Sequence, residues 1–75
     1  MNDDVSVLDT SGLKCPLPVL KAKRAMKDLA AGAVLEVRAT DPGSVEDFQH
    51  FCETTGHTLL EWSESGGTYF YRIRK

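Results

Sequence analysis

A chain of 75 residues holds one small domain, near the lower size at which a single hydrophobic core suffices without metals or several disulfides. Its 41% hydrophobic and 27% charged content is that of an ordinary folded protein, and a net charge of −2 argues against a general nucleic-acid binder. The apolar runs are too short for a membrane-spanning helix, and residues 1–4 lack the basic and apolar pattern of a signal peptide.

Val5 to Leu8 has the composition of a strand, which the turn residues Asp9-Thr10-Ser11-Gly12 are expected to end. A helix is expected after Cys15, because proline is well placed in a first helical turn, where its missing N–H goes unused. At 100° per residue, Val19, Ala22, Met26, Leu29 and Ala30 share one face, and Lys21, Arg24 and Asp28 lie opposite. Gly32 supplies the expected stop. Val34 to Thr40 alternates, with Leu35 and Val37 on one side and Glu36 and Arg38 on the other, as in a half-buried strand. Asp41-Pro42-Gly43-Ser44 reads as a turn into a second helix, with Ser44 as N-cap, Asp47 in a weak capping-box position and Gly56 as the end. Leu59–Glu64 and Tyr69–Arg74 are strands of a hairpin turning around Ser65-Gly66-Gly67, with Tyr69, Tyr71 and Ile73 facing the core. The order is βαβαββ without linker or repeat. It predicts an α/β two-layer sandwich, a four-stranded mixed sheet with two helices on one face, in a single domain over 1–75.

The two cysteines differ in kind. Cys52 follows Phe48 by four residues and Val45 by seven, in the centre of an apolar stripe, where a thiol acts as a small hydrophobe. Cys15 stands at the start of the first helix, in Cys-Pro-Leu-Pro. Free N–H groups and the positive end of the helix dipole are expected to lower its pKa and enrich the reactive thiolate. Cysteine is a poor N-cap, so capping stability gives little reason for it there. The two are too far apart in sequence for a CxxC pair, and one bridge is a thin framework for a secreted domain. A reducing cytoplasm fits best.

Leu17 falls away from the apolar stripe, on the side of Lys21 and Arg24. An apolar side chain one turn from a reactive sulfur, rimmed by Lys14, Lys21, Lys23, Arg24 and Lys27, reads as a surface for a protein partner. The plain alternative is a solvated helix face with one exposed leucine. His50 and His57 stand without Cys or His at ligand spacing, so no metal is expected. Gly66-Gly67 opens no helix, so no phosphate loop and no cofactor is expected. Tyr69, Phe70 and Tyr71 have the composition of a base-stacking strand, but a strand packing Tyr69, Tyr71 and Ile73 on the core explains them better.

Leu8-Asp9-Thr10-Ser11-Gly12-Leu13-Lys14-Cys15-Pro16-Leu17-Pro18 resembles the signature of the TusA/SirA-like family of small sulfur-carrier proteins, in which a CPxP motif opens the first helix after an Asp-x-x-Gly-Leu-(Arg or Lys) approach. The similarity continues through Asp41-Pro42-Gly43, Phe51-Cys52 and the final Tyr-x-Tyr-x-Ile-Arg-Lys. The resemblance implies a sulfurtransferase that receives sulfane sulfur as a persulfide on Cys15. Its donor would be a cysteine desulfurase or rhodanese-like protein. The sulfur would pass to an acceptor in tRNA thiolation, cofactor assembly or sulfur oxidation. Asp9, Gly12, Pro16 and Pro18 would shape the motif, and Lys14, Leu17, Lys21 and Arg24 would meet the partner. The competing readings are a regulatory or RNA- or protein-binding module without catalysis, and a thiol-redox sensor, which commonly has a resolving thiol.

Overall fold

The computed structural model describes residues 5–75; residues 1–4, read above for a signal peptide, lie outside the described residues. Six elements follow in the expected order: β1 Val5–Thr10, α1 Leu17–Lys27, β2 Val34–Ala39, α2 Ser44–Thr55, β3 Thr58–Ser65 and β4 Thr68–Arg74. The strands form one sheet in the order β1-β2-β4-β3. β1 runs parallel to β2 through the α1 crossover, and β4 pairs antiparallel with both β2 and β3.

Alternation decides which face is covered. Leu35, Val37 and Ala39 of β2 sit opposite Ile73, Tyr71 and Tyr69 of β4, and this row points toward the helices. Ala22 and Met26 of α1 join Phe48, Phe51 and Cys52 of α2 in the same cluster, so both helices pack on one sheet face. Met26, Phe48, Leu35, Ile73 and Tyr71 are fully buried, and each such side chain contributes roughly 1.5–3 kcal/mol over leaving it in water. The phenol of Tyr71 is not left unpaired. It shares a 2.6 Å hydrogen bond with the Ser44 hydroxyl, which satisfies both buried groups.

Several boundaries differ from expectation. β1 continues through Asp9 and Thr10, because parallel pairing with Arg38 and Ala39 persists and the buried Thr10 hydroxyl donates to the Arg38 carbonyl. α1 stops at Lys27, not near Gly32, and Ala30 lies exposed beyond it. Its end is closed from elsewhere in the chain: the Lys75 ammonium donates to the Leu29 carbonyl at 2.6 Å, a cation where the helix dipole is negative. Gly43, not Ser44, is the N-cap of α2, which frees the Ser44 side chain for Tyr71. Gly56 closes α2 in a left-handed conformation, as expected. Gly66 and Gly67 form the hairpin turn with φ of +58° and +88°, the positive pair that a tight two-residue hairpin requires.

Candidate active site

The loop between β1 and α1 is built by short polar contacts. The Asp9 carboxylate accepts the Ser11 hydroxyl at 2.6 Å and the Ser11 N–H at 3.0 Å. These two bonds, the hydroxyl foremost, hold Asp9 below its ordinary carboxylate pKa. Gly12 turns the chain at φ +83° and donates its N–H to Thr40 Oγ1 at 2.9 Å, tying the loop to the end of β2. Asp9 and Gly12 therefore shape the approach to Cys15 and do not touch its sulfur. Thr40, expected as the last residue of β2, lies just past it and serves as that tie.

Cys15 is exposed and lies one residue before the N-cap of α1, which is Pro16 at φ −100° and ψ 18°. The Cys15–Pro16 peptide is cis. Leu17 is the first helical residue, its N–H bonded to the Lys14 carbonyl at 2.8 Å, and Pro18 brings no N–H at all. The helix start therefore offers the sulfur fewer donors than the motif alone implies. Pro18 is also fully buried.

Two carboxylates from the neighbouring β2–α2 connection and the start of α2 frame the cysteine. Asp41, in the loop between β2 and α2, accepts the Cys15 N–H at 2.6 Å through one oxygen and the Gly43 N–H at 3.2 Å through the other. These bonds lower the Asp41 pKa, the one from Cys15 most, with the Lys14 charge assisting. Asp47, in the first turn of α2, accepts a hydrogen bond from the Cys15 thiol. A side chain on Gly43 would meet the Cys15 Cβ at 3.7 Å, which measures how closely the two loops approach.

This framing reverses the expected electrostatics of Cys15. Its thiol is pushed up to about 11. The hydrogen bond to Asp47 is the main cause, followed by desolvation and by the charges of Asp47 and Asp41. A thiol that donates to a carboxylate would lose that bond and gain repulsion on ionising, and both effects hold the proton on the sulfur. Cys52 is buried as expected, and burial raises its pKa as well.

Lys14, Leu17, Lys21 and Arg24 are all exposed, Leu17 to 45% of its surface. Leu20 is exposed to 53% and was not singled out by its sequence position. With Val19, Lys23, Asp47, His50 and Phe51 it lines a groove of about 250 Å³ between α1 and α2. Asp41 and Asp47, which contact Cys15, read from sequence only as turn and cap. An Asp-Pro-Gly turn and a first-turn acid are ordinary local signals, and neither reports contact with a cysteine more than 25 residues upstream. Among the described residues, no three His, Cys, Asp or Glu side chains are grouped to hold a metal ion.

The profile of the family described as Sulfurtransferase TusA matches residues 6–75. The chain belongs to that family. It is a TusA-type sulfur carrier, and its similarity to proteins of that description runs the full length. The protein named Sulfur carrier protein TusA from Allochromatium vinosum is 49% identical over 75 residues, covering 100% of this chain and 99% of that protein. The protein of the same name from Pseudomonas aeruginosa is 47% identical over 70 residues, covering 93% and 89%. The crystal structure of a SirA-like protein from Desulfitobacterium hafniense superposes with a TM-score of 0.81 at 29% identity, covering 93% of this chain and 95% of that one. The TusA family thus accounts for the fold and for the sulfurtransferase class together.

Proposed function

We propose that Cys15 is the residue on which this carrier holds sulfur as a persulfide, and that residues 1–75 act as one carrier domain. The observation that carries the assignment is the contrast between the two thiols. Cys15 is exposed on a loop pinned to Thr40 and Asp41 after β2, and Cys52 is buried in the core. In the transfer, the Cys15 sulfur, once deprotonated, attacks the outer sulfur of a donor persulfide. The donor's S–S bond breaks, its inner sulfur leaves with the electron pair as a thiolate, and that thiolate takes up the proton Cys15 gave up. The product is Cys15–S–S⁻ with a donor thiol, and no redox agent is consumed.

The donor is a cysteine desulfurase or rhodanese-like protein, and the acceptor is a downstream sulfur-relay protein, in tRNA thiolation, cofactor assembly or sulfur oxidation. Both dock over Cys15 and Leu17, with Lys14, Lys21 and Arg24 facing acidic groups on the partner. A reducing cytoplasm is the compartment this chemistry calls for, since an exposed thiol persists there. No described helix is long and apolar enough to cross a membrane.

The test is direct. The protein is incubated with a pyridoxal-phosphate cysteine desulfurase and cysteine, and its intact mass is followed. A single-sulfur adduct that a reductant removes, located on Cys15, is the expected result. An adduct on Cys52, or none, would defeat the assignment.

A further inference from the structure

A nucleophile is ordinarily flanked by groups that favour its anion, and here the opposite is built. The charged groups brought to bear on the sulfur are Asp47 from α2 and Asp41 from the β2–α2 loop, with Lys14 facing Asp41. Lys23 and His50 line the same groove as Asp47. Asp41 is already committed, its two oxygens taken by the Cys15 and Gly43 amides. Asp47 alone engages the sulfur itself. As a first-turn residue of a 12-residue helix it is held in place by α2, whose next turn is anchored in the core by Phe48.

Resting on the reading of Cys15 as the persulfide site, we propose that Asp47 is a positioning residue that holds Cys15 as a capped thiol in the free carrier, and that a basic group of the donor protein draws Asp47 away on docking and so unmasks the nucleophile. The geometry supplies both halves. A capped thiol is protected from small electrophiles and oxidants, because the thiolate is the reactive form. The two carboxylates make the tip around Cys15 acidic although the adjoining helix face is basic, so a donor that fits must present a cation there. Once the sulfur is loaded, the terminal persulfide anion has no proton to give Asp47. The contact then turns from attraction to repulsion, and the outer sulfur is directed toward solvent.

The experiment measures two pH profiles in the full chain: alkylation of Cys15 by iodoacetamide, mapped by peptide mass, and sulfur loading by a cysteine desulfurase with cysteine. In the wild type the alkylation midpoint should lie near 11, and the loading midpoint at least about one pH unit lower, a tenfold difference in thiolate at a given pH. In Asp47→Asn, alkylation at pH 8 should be at least about tenfold faster, and the two midpoints should converge. Asp41→Asn, which loses an amide acceptor and not the thiol contact, should shift alkylation less. Indistinguishable alkylation profiles in wild type and Asp47→Asn would overturn the hold of Asp47 on the sulfur. Coincident alkylation and loading midpoints in the wild type would overturn unmasking by the donor. Failure of the wild type to load at all would instead overturn the persulfide reading, and the alkylation comparison would still decide the role of Asp47. A scrambled fold in Asp47→Asn is recognised by circular dichroism, and Asp47→Ser then serves as the second variant.

Discussion

The Asp41 carboxylate accepts the backbone N–H of Cys15 at 2.6 Å across a gap of 26 residues. One side chain thereby joins the loop that follows β1 to the loop that precedes α2. Asp41 titrates below the ordinary carboxylate value because its charged form accepts the Cys15 and Gly43 amides. A pKa lower in the folded state than in the unfolded chain means that stability from Asp41 is fully present above about pH 4. That contribution is lost as the pH falls through the lowered value. Asp41→Asn should therefore show a shallower loss of denaturation midpoint below about pH 4 than the wild type. Parallel curves for the two proteins would assign the bond no share of the acid sensitivity.

Cys15→Ala should abolish sulfur loading and leave the denaturation midpoint nearly unchanged, because the side chain is exposed. Cys52→Ser should load normally and unfold more easily, by roughly 1–3 kcal/mol if the new hydroxyl finds no partner in the core. Loading by mass and chemical denaturation of both variants give the four values needed. Loading retained by Cys15→Ala would refute the site.

Charge reversal on α1 tests the docking face. Lys21→Glu with Arg24→Glu should slow transfer at low salt and flatten its dependence on ionic strength, since steering by exposed charges is screened over about 10 Å at 0.1 M salt. Both residues are exposed, so the fold should tolerate the change. Identical transfer rates at low salt would return them to the role of a solvated helix face.

The two prolines of the motif should separate. Replacing either by Ala loses a chain constraint worth ~0.4–1 kcal/mol, and Pro16, an exposed N-cap, adds little packing beside it. Pro18 is fully buried, so Pro18→Ala also removes about two packed methylenes and should cost about 1–2 kcal/mol more. In the double variant, transfer should fall further than the unfolded fraction explains, because displacing a reacting sulfur by ~1 Å costs about a hundredfold in rate. Transfer rate measured beside the denaturation midpoint separates the two effects.

What the sequence revealed follows the range over which each interaction acts. The alternation of Leu35-Glu36-Val37-Arg38 and the 3.6-residue recurrence of Ala22 and Met26 are local, and they located β2 and α1 before any coordinates. The end of α1 at Lys27 carries no local stop signal such as Gly32, and beyond it the chain is tied by Lys75, 46 residues away. The helix start singles out Cys15 as the candidate nucleophile, yet from sequence alone its pKa is expected to shift in the opposite direction to the one the structure gives. The observed direction is set by Asp47, which folding brings to the sulfur from 32 positions further along. Short-range pattern identifies elements and nucleophiles, whereas the field around a nucleophile is a product of topology.

The burial of Cys52 has a kinetic meaning for a molecule that stores a labile atom. A persulfide decays fastest when a second thiol on the same chain can displace its outer sulfur as sulfide and close a ring. That decay would be first order and independent of any partner. With Cys52 at 7% exposure inside the packed layer between helices and sheet, a persulfide on Cys15, as proposed, would lack this internal route. Every discharge then requires a collision. The lifetime of the cargo is thus governed by the concentration of thiols outside the protein, and the folded chain behaves as a container without a drain.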